Sequence, residues 1–280
     1  MSVTGNAVTG KVGAASAPVP LIGRKLKINI GRLVLLAAFL GIWEFASGRL
    51  VAEFFVSKPS KIFAVLNEWL WSGTLAFHAS ITATEALTGF ILGGFIGMIM
   101  GTILGRSQGL AELLEPFIMA FYSLPKVALA PLFVMWLGIG ISMKITLTAA
   151  IVFFLVFLNT YTGVRSVSKE LVTIMHLMGA KERHILLKVV IPSALSWVFA
   201  GLKVSVPYAL IGAIVGELIA SNRGLGYLLS SSAGQFDTAG VFAALAAVIA
   251  LAALLNLFVK LLEVKMAPWK TVETQQEFTI

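Results

Sequence analysis

Six ionisable residues lie in or beside stretches apolar enough to cross a membrane: Glu44, Glu85, Glu115, Lys126, Lys203 and Glu217. Charges in such places are costly and are functional candidates by default. Glu44, Glu85, Glu115 and Lys203 fall near the ends of apolar runs, where a long side chain reaches water by snorkelling. Lys126 falls deep in its run, between Pro125 and Pro131. That position predicts a cation facing protein or water, serving either an anionic solute or an ion pair with Glu217 or Glu85. Other chemistries find no support. The chain has no cysteine, its three histidines (His78, His176, His184) are scattered, and no Gly-x-x-x-x-Gly-Lys-Ser/Thr loop is present. No metal cluster, P-loop or nucleophile–base arrangement is therefore expected.

The elements holding these charges are read from composition and run length. Of 280 residues, 58% are hydrophobic and 12% charged, about half the charge of an average soluble domain. Six runs reach the ~20 residues a helix needs to span hydrocarbon: Ile28–Ala46, Ala83–Leu104, Leu113–Leu137, Ile145–Tyr161, Ala194–Ile219 and Ala239–Leu262. The first is interrupted by Asn29, Arg32 and Glu44. None alternates as a strand would, so the expectation is an all-α, polytopic protein of six transmembrane helices. Residues 1–27 read as a disordered cytoplasmic tail, 28–265 as the membrane domain, and 266–280 as a second tail. With the N-terminus inside, 14 basic residues face the cytoplasm and five face out (Arg49, Lys58, Lys61, Lys144 and Arg223). The positive-inside rule thus predicts both termini cytoplasmic, and it accounts for the net charge of +8 without nucleic acid.

Within the spans, Gly89, Gly93, Gly97, Gly101 and Gly105 recur every four residues, which predicts close helix packing along one face. Pro116, Pro125 and Pro131 interrupt the third span, and Pro207 the fifth. Between the first two spans, Ile62, Val65, Leu66, Trp69 and Leu70 have helical spacing, predicting a short amphipathic helix at the outer interface. After the fifth span, Gly224 and Gly226 flank Leu225, predicting a tight turn that could form part of an outer gate with Glu217.

The most informative loop is cytoplasmic, 164–193. It is basic yet too apolar for a solvated linker. Two short helical patterns flank Gly179, with Leu171, Ile174, Met175 and Met178 before it and Ile185, Leu186, Val189 and Val190 after it. Such a knob either packs on the membrane domain or fits another protein's groove.

Gly179, followed thirteen residues later by Pro192 with Ile191 before it, resembles the "EAA" loop of ABC importer permeases. Three further stretches resemble the subgroup that handles nitrate, sulfonates, taurine, and thiamine-pyrimidine or riboflavin-like solutes: Leu124 to Gly140, Gly216 to Tyr227, and Trp43-Glu44. Thr173, Ile174 and Met175 stand where the family has its Glu-Ala-Ala. Glu85 stands where many sulfonate-type members carry a basic residue. The resemblance implies a type I ABC importer permease fold in a bacterial inner membrane, working as a homodimer or close heterodimer surrounded by lipid. It implies that a separate ATPase subunit holds ATP and Mg, that a solute-binding protein delivers the solute, and that this chain binds no cofactor and is not an enzyme. It assigns ATPase coupling to Val172, Thr173, Met175, Leu177, Met178, Gly179, Ala180, Lys181 and Arg183. The rival expectation is a secondary transporter or channel, marked by an ion-coupling carboxylate deep in the bundle.

Overall fold

The computed structural model describes residues 21–266. The expected tail at 266–280 lies almost wholly outside the described residues, as does most of that at 1–27. Residues 21–27, placed in the first tail from sequence, belong instead to the first helix, α1 (Leu21–Ala46). Arg24, Lys25 and Lys27 are good helix formers and no proline intervenes, so the apolar helix propagates outward through them.

After α1 come two short helices, α2 (Glu53–Val56) and α3 (Pro59–Trp71), and then the long α4 (Thr74–Arg106). α5 (Gln108–Ser123) leads through a 3₁₀ turn at Lys126–Leu129 into α6 (Ala130–Leu137). α7 (Ile141–Arg165) is followed by the loop helices α8 (Lys169–Leu177) and α9 (Glu182–Ile185) and a π-helical turn at Leu186–Val190. α10 (Ile191–Ala220), α11 (Leu225–Gly234) and α12 (Thr238–Met266) complete the chain. Among the described residues the only β feature is an isolated bridge between Ser47 and Val51.

α7 is the hub. The glycine row of α4 lies directly against it. A Cβ at Gly97 would come within 2.7 Å of the Phe153 carbonyl oxygen, and one at Gly101 within 2.8 Å of that of Phe157. Gly89 faces the Thr148 side chain and Gly93 the Ala149 backbone. On its other side α7 meets α10 in the same manner, at Gly201 against Asn159 and Gly212 against Thr148. Two helices can therefore approach α7 at backbone distance, where packing rather than hydrophobicity holds membrane helices together.

Five helices are long and apolar enough to cross a membrane, and a sixth span results if α5 and α6, bent by 79°, are taken as one. The third span, expected as a run from Leu113 to Leu137, is thus broken. Leu124 is extended (φ −66°, ψ 133°), the conformation that a following proline imposes. Pro131 opens α6 in the first turn, where its missing N–H is harmless. Pro116 and Pro207 lie inside continuous helices.

α3 is the outer amphipathic helix. Ile62 is buried, Val65, Leu66 and Trp69 are half-buried, and Leu70 and Trp71 are exposed. Glu44 joins its start to the end of α1, accepting from Ser60 N at 3.0 Å and Ser60 Oγ at 2.7 Å. The carboxylate thus satisfies an open amide in the first turn of α3.

Candidate functional site

Three clusters bring together the residues singled out from sequence. The first is built on α4, α7 and α10 around the start of α11. His78, Thr82 and Glu85 fall on one face of α4 at i, i+4 and i+7. His78 Nδ1 accepts from Gly224 N at 3.0 Å, and Thr82 Oγ1 accepts from Leu225 N at 2.8 Å. Glu217 Oε2 accepts from Gly226 N at 2.6 Å, and its Oε1 from Thr82 Oγ1 at 2.6 Å. Three successive amides entering α11 are thereby satisfied by α4 and α10, and a carboxylate sits at the positive end of the helix. Both glycines are required by contact. Gly224 has φ +102° and presses on the Glu217 carboxylate, and a Cβ at Gly226 would lie 2.8 Å from Glu217 Cβ.

Beside this latch, Lys144 Nζ donates to Glu85 Oε1 and to Ser221 Oγ, both at 2.8 Å. Glu85 and Glu217 are each 1% exposed and Lys144 5%. The expectation that Glu85 snorkels is therefore wrong. Glu85 lies about 31 Å from Arg106 at 1.5 Å per residue, about one hydrocarbon thickness from that end of α4. It turns into the bundle rather than out because Lys144 offers a counter-charge there. Lys144, counted from sequence as an outer-loop residue, belongs to α7. A cleft of about 800 Å³ opens next to the pair, lined by Ile139, Ile141, Ile219, Asn222 and Arg223 among others.

The second cluster is the break in the third span. Lys126 is half-buried and donates to the carbonyl of Tyr122, the open C-terminal end of α5. Its ammonium lies over two rings, 4.7 Å from the centroid of Tyr122 and 4.5 Å from that of Phe154. Neither Glu217 nor Glu85 is its partner: Lys144 holds Glu85, and α11 holds Glu217. Pro125 and Pro131 frame the turn and are both exposed.

The third cluster is the loop around Gly179. Ser168 caps α8, accepting from Leu171 N at 3.3 Å, and its hydroxyl hydrogen bond holds the Glu170 carboxyl below the usual range. The helix ends in a Schellman motif, Ala180 N to Met175 O at 3.0 Å and Gly179 N to His176 O at 2.9 Å, with Gly179 at φ +78°. Val172, Met175 and Ala180 pack inward on Val164, Ile185, Val190 and Ala194. Leu177 and Met178 are 84% and 78% exposed, and Leu171 and Ile174 are exposed beside them. Thr173, Lys181 and Arg183 are exposed too. The sequence stripe is thus split, with Met175 facing in and its neighbours facing out.

Residues 93–268, more than half the chain, match the family of binding-protein-dependent transport system inner membrane components. The chain belongs to this family. This permease is 33% identical over 230 residues to the formylaminopyrimidine transport permease protein ThiX of Halalkalibacterium halodurans, covering 82% of this chain and 91% of that one. It is 35% identical over 217 residues to the riboflavin transport system permease protein RibX of Chloroflexus aurantiacus, covering 78% and 81%. It is 31% identical over 249 residues to the putative aliphatic sulfonates transport permease protein SsuC of Bacillus subtilis, covering 89% and 90%. Its fold matches that of the inward-facing MetNI methionine ABC transporter with a TM-score of 0.59 at 16% identity, covering 66% of this chain and 92% of that chain. The permease is accordingly a multi-pass membrane subunit of the ABC importer type, and the secondary-transporter reading falls. Sequence reasoning missed His78, Thr82, Lys144 and Ser221. Only the i, i+4, i+7 polar face of α4 could have pointed to any of them.

Proposed function

We propose that this permease passes a small solute across a bacterial inner membrane, driven by a separate ATPase that docks on α8 and its Gly179 turn. The observation that carries this reading is the outward apolar face of α8. Leu171, Ile174, Leu177 and Met178 are exposed on a loop whose Val172, Met175 and Ala180 pack on its own domain, as a helix presented to a partner's groove would be. Two copies of the chain, N- and C-termini inside, enclose the path, and a solute-binding protein delivers the solute at the outer face beside Gly224 and Gly226. The ATPase holds the ATP and Mg.

Lys126, at the break of the third span and without a carboxylate on its Nζ, supports a solute path along that break. Its free positive charge suits an anionic or acceptor-rich solute, within the range of the sulfonate, taurine, pyrimidine and riboflavin permeases that this chain resembles. Leu177→Ser with Met178→Ser is expected to leave the permease inserted while abolishing co-purification of the ATPase and its stimulation by loaded binding protein. Retained co-purification would remove α8 as the docking helix. Lys126→Met is expected to lower uptake at least tenfold, without rescue by Glu217→Gln, because the two side chains do not meet.

A further inference from the structure

A second cavity, of about 400 Å³, opens where the inner ends of α4 and α7 meet the first turns of α5 and α8. Its floor is apolar, with Gly105, Val164, Val167, Val172 and Val190, and its rim carries Arg106, Arg165 and Lys169. The acids near the rim already have partners. Glu182 bridges Arg106 and His176, the latter at 2.6 Å. Glu112 accepts from Gln108 Nε2 at 2.8 Å, and Glu170 accepts from the Ser168 hydroxyl and feels the charge of Lys169, but neither carboxylate lines the cavity. Arg165 stands over the Tyr161 ring and donates to its hydroxyl at 3.2 Å, so it is held in place without its charge being neutralised. Lys169 is exposed. Among the lining residues Arg106, Arg165 and Lys169 outnumber the single acid, Glu182, over an apolar floor.

The geometry points to a binding site for the phosphate-bearing headgroup of an anionic phospholipid. Arg106 and Arg165 are the last residues of α4 and α7, so the rim lies at the level where a membrane helix leaves the hydrocarbon. Ile103, Leu110 and Leu113, within seven positions of Arg106 on α4 and α5, are exposed and offer apolar surface to acyl chains once the headgroup is seated. A guanidinium pair and an ammonium match phosphate oxygens, and a basic pocket between helices at this level is the site type that selects anionic lipids. The headgroup also lies against Lys169, Val172, Thr173 and His176 of α8, about half a turn from the exposed Leu171 and Ile174. It therefore steadies the loop through Arg106–Glu182–His176 and leaves the docking face open.

Lipid binding needs no ATPase, so its test stands apart from that of the docking role of α8. The purified full-length permease in mixed micelles is titrated with phosphatidylglycerol and with phosphatidylcholine, and retained lipid is counted by native mass spectrometry. The expected result is a clear preference for phosphatidylglycerol that falls by roughly thirtyfold in Arg165→Gln with Lys169→Gln, the effect of two cations near a lipid surface. A matched loss of two charges elsewhere on the loop, Lys181→Gln with Arg183→Gln, leaves the preference intact. Equal loss in both double variants, or no loss in the first, overturns the site. Displacement of phosphatidylglycerol by inorganic phosphate at equal concentration overturns the lipid assignment in favour of a free anion. A circular dichroism spectrum matching the wild type separates lost binding from a misfolded variant.

Discussion

Lys144 and Glu85 meet at 2.8 Å in a site almost closed to solvent, and a buried pair of this kind fails asymmetrically. Removing one partner leaves the other charge stranded, at a cost of about 3–5 kcal/mol. Lys144→Met is therefore expected to lower the thermal midpoint of the detergent-solubilised permease markedly. Adding Glu85→Gln should recover most of the loss, because neither member of the pair is then left as a stranded charge. Equal midpoints for the single and double variants would show that the pair is not coupled. Gly179 is a different kind of residue. A Cβ there would meet nothing within 4 Å, so only the backbone resists substitution. Gly179→Val should cost about 1–2 kcal/mol locally and reset the turn without harming the membrane domain. The expected result is normal insertion with lost ATPase stimulation, and normal transport would end the coupling argument. The need for glycine at 179 was legible in the sequence because a helix stop is local chemistry. The partner of Glu85 was not legible. Lys144 lies 59 positions away and a linear reading placed it in a loop, since nothing local marks which face of which helix it meets.

Among the elements, periodic signals carried through where geometry is regular. The four-residue glycine row gave the α4 contact face, and the i, i+3, i+4 stripe gave the inward face of α3. The break between α5 and α6 was only half legible. Prolines at 116, 125 and 131 all announce interruption, yet Pro116 and Pro207 sit inside intact helices and Pro131 begins one. Which proline breaks a membrane helix depends on what else can satisfy the freed carbonyl, and at Tyr122 that partner is the Lys126 ammonium. For the α4–α7 contact, Gly97→Leu is expected to be far worse than Gly31→Leu. A side chain at Gly97 collides with the Phe153 carbonyl and Phe157 amide, while Gly31 faces open space. Backbone atoms cannot swing aside, so the two helices must separate. The thermal midpoint of the detergent-solubilised permease, compared between the two variants, would report that separation. An unchanged midpoint with Gly97→Leu would mean that the row is not a packing seam.

For the whole molecule, the strongest inference from sequence was orientation, and its basis changes only slightly with the fold. Lys144 leaves the outer count because it is buried in α7, which widens the imbalance between the two sides. Arg106, Arg165, Lys169, Lys181, Arg183 and Lys188 all gather at one end of the bundle, with α8 and α9. The opposite end holds α3, the start of α11 and the Lys58–Glu53 pair, where the basic charge is sparse and partly offset. Positive residues resist translocation, so the α8 end is expected in the cytoplasm. The absence of native cysteine makes the test clean, since each introduced thiol is unique. Ser72, exposed after α3, and Met178, exposed on α8, are the positions of choice. In intact cells that carry the permease without its ATPase, which would otherwise cover Met178, a membrane-impermeant maleimide should label Ser72→Cys and spare Met178→Cys, and permeabilisation should expose both. Labelling of Met178→Cys alone would invert the molecule, and labelling of both in intact cells would put α8 on the outer side together with Ser72. Either outcome would place α8 where no cytoplasmic ATPase can reach it, so this experiment bears on the docking proposal before any transport is measured.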